Sequence, residues 1–470
     1  MNRQIFYWLI IIAIFLITSC TLSPRYTQPK APIPENWPKG EAYPETKTTP
    51  EVPKAPELKW SEFFTDEKLQ KLIVNALDNN RDLRLAALNV ERARALYKVQ
   101  RAELFPTINA SGNANKQKTS RDFIHPGEPR ITERYEVNLG ITSWEVDFFG
   151  RLRSLKKKAL EEYLSTEEAR RSTQILLISE IATTYLTLAA DRESLEIARS
   201  TLETQQSVYN LIQKQYQSGI ATKLDLRRAQ TQVDAARQEL ARYTQLVAQD
   251  QNALNLLAGS PVSEELLPIN LSSVKPPREI SPGLPSEVLL LRPDIMAAEH
   301  QLKAAYAYIG AARAAFFPRI SLTSLLGTAS DELSGLFSHG TGTWSFSRQI
   351  VTPIFDTRTW AAYRVSQAER EIALAQYEKA IQTAFREVAD ALSIKGTIDQ
   401  QIVAQESLVE ANSETYKLAK SRYTTGIDSY LSVLDAQRSL YSAQQALVTL
   451  RQIKLANQVR LYAVLGGGSE

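Results

Sequence analysis

The sequence predicts a mixed α and β membrane protein built from a duplicated half-repeat, with four transmembrane β-strands and long coiled-coil helices in each chain. Three observations predict it. The two halves of the chain match in register at a period of roughly 210 residues, which marks a duplicated domain and not a solenoid of short units. Long stretches contain neither glycine nor proline. Four segments of about 10 residues alternate apolar and polar side chains, the length of a tilted strand crossing a bilayer.

The chain opens on a positive residue, Arg3, and an unbroken apolar run from Ile5 to Ile17. At about 13 residues the run is too short for a spanning helix, which needs about 20, and it reads as the hydrophobic part of a signal peptide over residues 1–19. Ile17-Thr18-Ser19-Cys20 places small residues before the single cysteine of the chain. This resembles the bacterial lipobox, which implies that Cys20 becomes the first mature residue, an N-palmitoyl and S-diacylglycerol cysteine. One cysteine excludes a disulfide framework within the chain. Thr21 follows where Asp would favour retention at the inner membrane, so the expected destination is the outer membrane. Residues 20–60 are rich in proline, cannot be helical and read as an extended tether between lipid and folded body.

The first repeat is assigned to 61–258 and the second to 294–470, joined by a proline-rich connector over 259–293. Asp82 through Phe105-Pro106 matches Asp294 through Phe317-Pro318 at equal spacing, and Tyr209 through Gly219-Ile220 matches Tyr416 through Gly426-Ile427. Each half is expected to run in one order: a helix ending at Phe-Pro, two strands, a very long helix, a glycine turn and a return helix. The strands are placed at about 105–116, 133–148, 317–327 and 343–355, the long helices at 151–218 and 357–425, and the return helices at 220–258 and 427–465. A continuous helix over 151–218 would be on the order of 100 Å long. Gly219 and Gly426 supply the helix stops, because glycine accepts the left-handed conformation. The return helices carry a heptad seam: Leu226, Ala229, Val233, Ala236, Leu240, Tyr243 and Val247, answered by Val433, Ala436, Leu440, Ala443, Leu447 and Leu450. A coiled-coil rod explains these helices but not the strands between them.

Ile108, Ala110, Gly112 and Ala114 alternate with polar residues, as do Tyr135, Val137, Leu139 and Ile141, then Ile320 and Leu322, then Trp344 and Phe346. Alternation alone fits a soluble half-buried sheet equally well. Four strands cannot close a barrel, and open edges are not tolerated in lipid. Strands that span a membrane therefore require several chains, and three chains give a 12-stranded β-barrel on a 12-helix α-barrel. The hairpin tips, Lys116 to Thr132 and Thr328 to Gly342, would face outside.

Composition is ordinary, with 43% hydrophobic and 23% charged residues, which excludes a disordered chain and a multi-span helical membrane protein. A net charge of +3 gives no reason to expect nucleic acid. The three histidines, His125, His300 and His339, lie far apart, with no zinc spacing, phosphate loop or nucleophile elbow, so neither an enzyme, a metal site nor a cofactor is expected.

Seven segments then carry a resemblance over nearly the whole chain: Asn80-Arg81-Asp82-Leu83, Trp144-Glu145-Val146-Asp147-Phe148-Phe149-Gly150-Arg151, Gly283-Leu284-Pro285-Ser286, Arg292-Pro293-Asp294-Ile295, Ile309-Gly310-Ala311-Ala312 with Phe317-Pro318, Gln376-Tyr377-Glu378-Lys379-Ala380, and Leu434-Asp435-Ala436-Gln437-Arg438-Ser439. Together they resemble the TolC-like outer-membrane factors of resistance-nodulation-division (RND) tripartite efflux pumps, in their lipoprotein branch. The resemblance implies a homotrimer anchored in outer-membrane lipid, with a periplasmic α-barrel and an equatorial domain, exporting drugs and other small molecules. It implies a periplasmic membrane-fusion adaptor docking at the tips, Gly219-Ile220 and Gly426-Ile427, and an inner-membrane RND transporter beyond it. It implies a periplasmic aperture made by Leu431 as apolar constriction, Asp435 as acidic ring and Arg438 as its ion-pair partner. Their i, i+4, i+7 spacing puts all three on one helix face.

The family commonly has a glycine shortly after Pro-Ile-Phe, whereas here Pro353-Ile354-Phe355 runs into Asp356-Thr357-Arg358-Thr359. That strand-to-helix turn alone is put in doubt. A duct for type I protein secretion or for metal efflux is the nearest alternative, although Met1 and Met296 are the only methionines for soft ions. A lipid-anchored coiled-coil rod or adhesin is the alternative of another class.

Overall fold

The structure is a computed structural model that describes residues 21–43, 53, 55–283 and 285–469. Cys20 and the expected signal peptide lie outside the described residues. Seven helices longer than ten residues and four strands follow in order: α1 (Glu67–Asn79), α2 (Arg81–Ala102), β1 (Ile108–Lys118), β2 (Ile131–Val146), α3 (Arg151–Gln217), α4 (Lys223–Ala258), α5 (Pro293–Ala314), β3 (Arg319–Ser330), β4 (Gly342–Val351), α6 (Thr357–Thr424) and α7 (Tyr430–Val464). The chain divides into two compact units.

The first unit takes residues up to Pro29, 89–166 and 298–377, and holds all four strands. They form one antiparallel sheet in the order β1-β2-β3-β4. The strands start and stop a few residues inside the expected bounds at their proline ends. Pro106, Pro318 and Pro353 have no N–H for the ladder, so pairing begins after or ends before them. The register sorts the two faces. Ala110, Leu139, Leu326 and Trp344 lie opposite one another in one row across the sheet, and Ile108, Ile141, Ser324 and Phe346 form another. The row between them, Asn109, Gly140, Leu325 and Ser345, and the row beyond, Ser111, Asn138, Gly327 and Thr343, face the other way and are polar or small except for Leu325. One face is therefore apolar yet exposed, and the other is polar. β1 and β4 are exposed along their whole length, with their outer edges unpaired among the described residues.

The junctions below the sheet are fixed by charge. Glu145 accepts two hydrogen bonds from Arg151, at 2.8 Å each, and Asp147 accepts the Arg153 backbone N–H at 2.8 Å. At the second junction Asp356 accepts the Arg358 backbone N–H at 3.0 Å and both arms of its guanidinium. The residue in place of the expected glycine thus works as a helix cap, satisfying one of the free N–H groups at the start of α6.

Residues 21–43 of the proline-rich segment expected as a tether are packed against helices through Tyr26 and Trp37. In the first unit the Tyr26 hydroxyl donates to Glu299 at 2.8 Å and its ring meets Tyr306 edge-on at 5.5 Å. Gly310 permits this approach, since a Cβ there would fall 2.0 Å from Ser23 Oγ.

The second unit takes 30–88, 167–297 and 378–470. Here Trp37 stacks on Phe385 at 5.1 Å and donates to the Gly283 carbonyl at 2.8 Å. Ile178, Ile181, Tyr185, Leu188 and Tyr462 are fully buried, each aliphatic one contributing about 2 kcal/mol of hydrophobic stabilisation. Phe63 stacks on Tyr462 at 3.9 Å, and the Tyr462 hydroxyl donates to the Leu58 carbonyl at 2.6 Å. Arg292 donates to Asp294, to Glu387 at 3.0 Å and to the Val464 carbonyl at 2.7 Å, tying the connector to α6 and α7. Asn80 caps α2 through the Leu83 N–H and donates to the Leu257 carbonyl at the end of α4, both at 2.9 Å. On α4 the seam residues Ala229, Val233, Ala236 and Tyr243 are buried. On α7 Val433, Ala436 and Ala443 are buried, but Val448 rather than Leu447 is the buried residue of the next turn.

Candidate functional site at the helix-hairpin tips

α3 and α6 both end in the same local structure. Gly219 has φ +72° and Gly426 φ +76°. The N–H of Gly219 donates to the Tyr216 carbonyl at 3.0 Å, and that of Ile220 to the Gln215 carbonyl at 2.8 Å. The N–H groups of Gly426 and Ile427 repeat the pattern to Tyr423 at 3.0 Å and Arg422 at 2.9 Å. This is the Schellman motif, which satisfies the last free carbonyls of a helix and needs a left-handed residue at its turn. The motif occupies the first residues of each expected return helix, so α4 and α7 start three residues later than expected.

The isoleucine after each glycine normally folds back on the helix. Here Ile220 is 76% exposed and Ile427 64% exposed. Both tips therefore present a bare apolar side chain. Leu224 is exposed beside Ile220 and was not singled out from the sequence.

The two tips are closed differently. Thr222 caps α4 in a reciprocal box, accepting the Asp225 N–H at 3.2 Å while Asp225 accepts the Thr222 N–H at 3.2 Å and hydroxyl at 2.6 Å. The Thr-x-x-Asp spacing could have announced this box in the sequence. Ser429 makes no such bond at the start of α7. Instead the Arg422 guanidinium grips Asp428, with Nε 2.5 Å from one oxygen, and holds that carboxyl below its ordinary range.

Under the tips Ile212, Ala229, Ala419, Tyr430, Val433 and Leu434 form one apolar cluster contributed by α3, α4, α6 and α7. The Tyr423 hydroxyl donates to Gln215 at 3.2 Å, joining the ends of α6 and α3. Tyr430 lies 5.4 Å from the Tyr423 ring, and its buried hydroxyl has no partner among the described residues. Burial pushes this phenol well above its ordinary range.

Val433, Leu434, Ala436 and Gln437 are the buried face of α7. Leu431, Asp435 and Arg438 are all exposed, off that buried face, with Leu431 at 44%. The structure thus brings the three expected aperture residues onto one free face. Within the chain Asp435 and Arg438 do not pair with each other, nor does either form another ion pair or hydrogen bond among the described residues. An ion-pair partner for Asp435 is therefore not supplied by Arg438 of the same chain in this conformation.

The family described as outer membrane efflux protein matches residues 72–260 and again 284–467. The chain belongs to the outer membrane efflux protein family. It is 46% identical over 456 residues to the toluene efflux pump outer membrane protein TtgC of Pseudomonas putida, covering 97% of this chain and 94% of that relative. It is 40% identical over 455 residues to the outer membrane protein OprJ of Pseudomonas aeruginosa, covering 96% and 93%. The crystal structure of the open state of the Neisseria gonorrhoeae MtrE outer membrane channel superposes with a TM-score of 0.84 at 36% identity, covering 96% of this chain and 99% of that one. This outer membrane efflux protein is accordingly an outer-membrane channel that serves efflux, and its four strands are the membrane-spanning elements.

Proposed function

We propose that this chain is the exit duct of a tripartite RND-type pump, carrying drugs and other small organic molecules from the periplasm or inner membrane to the outside. The observation that carries the reading is the four-stranded sheet with both outer edges open. A lone sheet of four strands leaves unpaired N–H and C=O groups in lipid, each costing several kcal/mol. Pairing β4 of one copy with β1 of the next in a homotrimer satisfies both edges and gives twelve strands, an even number within the usual range.

Cys20 carries the lipid anchor in this reading, after removal of residues 1–19. Residues 20–60 lead to the first repeat at 61–258, the connector 259–293 and the second repeat at 294–470. Gly219-Ile220 and Gly426-Ile427 dock a periplasmic membrane-fusion adaptor, because both tips expose apolar side chains on rigid turns. Leu431, Asp435 and Arg438 narrow the periplasmic aperture. The duct is not an enzyme, and the driving energy comes from an inner-membrane transporter. That relatives are named for toluene and antibiotic efflux supports organic cargo.

The reading is tested by dye accumulation in cells lacking the gene, with and without a plasmid copy. Higher accumulation that the copy reverses supports small-molecule efflux. Equal accumulation with and without the copy rejects it.

A further inference from the structure

A cavity of about 260 Å³ opens between α3, α4 and α7 in the second unit. Its walls include Ala198 from α3, Ala236 from α4 and the ring of Tyr441 from α7. Alanine at these seam positions leaves the space unfilled, whereas helix interfaces ordinarily hold few voids larger than a water molecule. Of its three glutamines two are buried, Gln205 from α3 at 5% exposure and Gln437 from α7 at 7%. Their amide oxygens are buried without a hydrogen-bond partner. A buried amide without a partner is costly, so two of them beside one cavity point to something that binds there.

Charge decides what kind of molecule. Glu239 at the cavity wall is already committed, accepting from Arg242 Nη2 at 2.9 Å and Nε at 3.1 Å. Arg438 lines the same cavity and has no ion pair or hydrogen bond among the described residues. The uncommitted charge is therefore positive. A glutamine amide can turn about its last torsion to offer N–H in place of C=O. Two amide N–H donors and one free guanidinium match a carboxylate, and the alanines with the Tyr441 ring match a flat apolar body.

We propose that this cavity binds small aromatic carboxylates, with the carboxylate held by Arg438, Gln205 and Gln437. The site adjoins the proposed aperture through Arg438. Binding is read separately from conduction, so the two ideas stand or fall independently.

The test uses 2-naphthoate with the full-length trimer in lipid nanodiscs, followed by ligand-observed NMR. Saturable binding is expected, weakened about tenfold or more in Arg438→Gln and in Gln205→Leu, since each loses one charge-assisted hydrogen bond. The neutral isostere naphthalene-2-carboxamide is expected to bind about tenfold more weakly than the carboxylate. Gln205→Leu should also keep or raise the thermal stability of the trimer, because its amide has no partner to lose. Equal uptake by wild type and the Arg438→Gln, Gln205→Leu double variant overturns the proposal, being lipid partitioning only. Equal affinity for carboxamide and carboxylate overturns it as well. So does a fall in stability of Gln205→Leu, which would mean that the amide is already satisfied. Asp435→Ala conductance reports on the aperture alone.

Discussion

The carboxyl groups of Asp191 on α3 and Asp250 on α4 lie close enough to shift each other's titration. One Asp250 oxygen is buried without a protein partner. Burial first, then the neighbouring Asp191 charge, push the Asp250 carboxyl up to about 7. Asp191 is raised by burial, against the opposing pull of Asp250 and of the Arg242 charge.

This sets a pH dependence of unusual sign for a carboxyl. The folded state binds the proton more tightly than the unfolded chain. Its stabilising contribution is complete below about pH 4 and is lost as pH rises through about 7. The shift corresponds to about 4 kcal/mol in a dry site, and solvent reaching the half-buried pair reduces it to about 2 kcal/mol. Thermal unfolding of Asp250→Asn should show a gain of about 2 kcal/mol over wild type at pH 8 and none at pH 4. A constant difference across that range would show that folding does not raise the Asp250 carboxyl.

The tip glycines offer a cleaner backbone test. A Cβ at Gly219 or Gly426 would meet nothing within 4 Å, so alanine is penalised only by the left-handed conformation. Gly219→Ala and Gly426→Ala should each cost about 1–2 kcal/mol, and asparagine less. Hydrogen exchange at Ile220 and Ile427 should quicken in the alanine variants and stay unchanged at Leu188.

Arg292 holds Asp294, Glu387 and a helix-terminal carbonyl at once. Arg292→Ala leaves two carboxylates facing each other without their cation. It should cost about 3 kcal/mol, read as a lower melting temperature of the trimer. Arg292→Lys should recover only part of the loss, since an ammonium cannot serve the forked geometry.

The aperture reading predicts a change in conduction. Asp435→Ala should raise single-channel conductance and lower cation preference, because three carboxylates around an axis both attract cations and narrow the pore. Traces indistinguishable from wild type would remove Asp435 from the aperture.

Much of this was legible from short stretches of sequence. The duplication showed in matched motifs, the helices in runs free of breakers, the turns in Gly219 and Gly426, and the two-faced sheet in strict alternation. These are local signals, because helix and strand periods are written in residues that follow one another. The Thr222-Asp225 box was equally local and was overlooked.

Other features were settled only in three dimensions. Proline content suggested a free tether, yet Tyr26 and Trp37 find aromatic partners on helices hundreds of residues later in the chain. Asp191 and Asp250, or Gln205 and Gln437, are unremarkable in sequence and acquire chemistry only by meeting. Asp435 and Arg438 share a face, as their spacing required, but helix spacing could not decide whether they would pair. The sequence by itself determined which elements form and in what order, since backbone propensity and periodicity act within a few residues. Which side chains are left buried without a partner depends on how separate helices pack, and that only the tertiary structure decided.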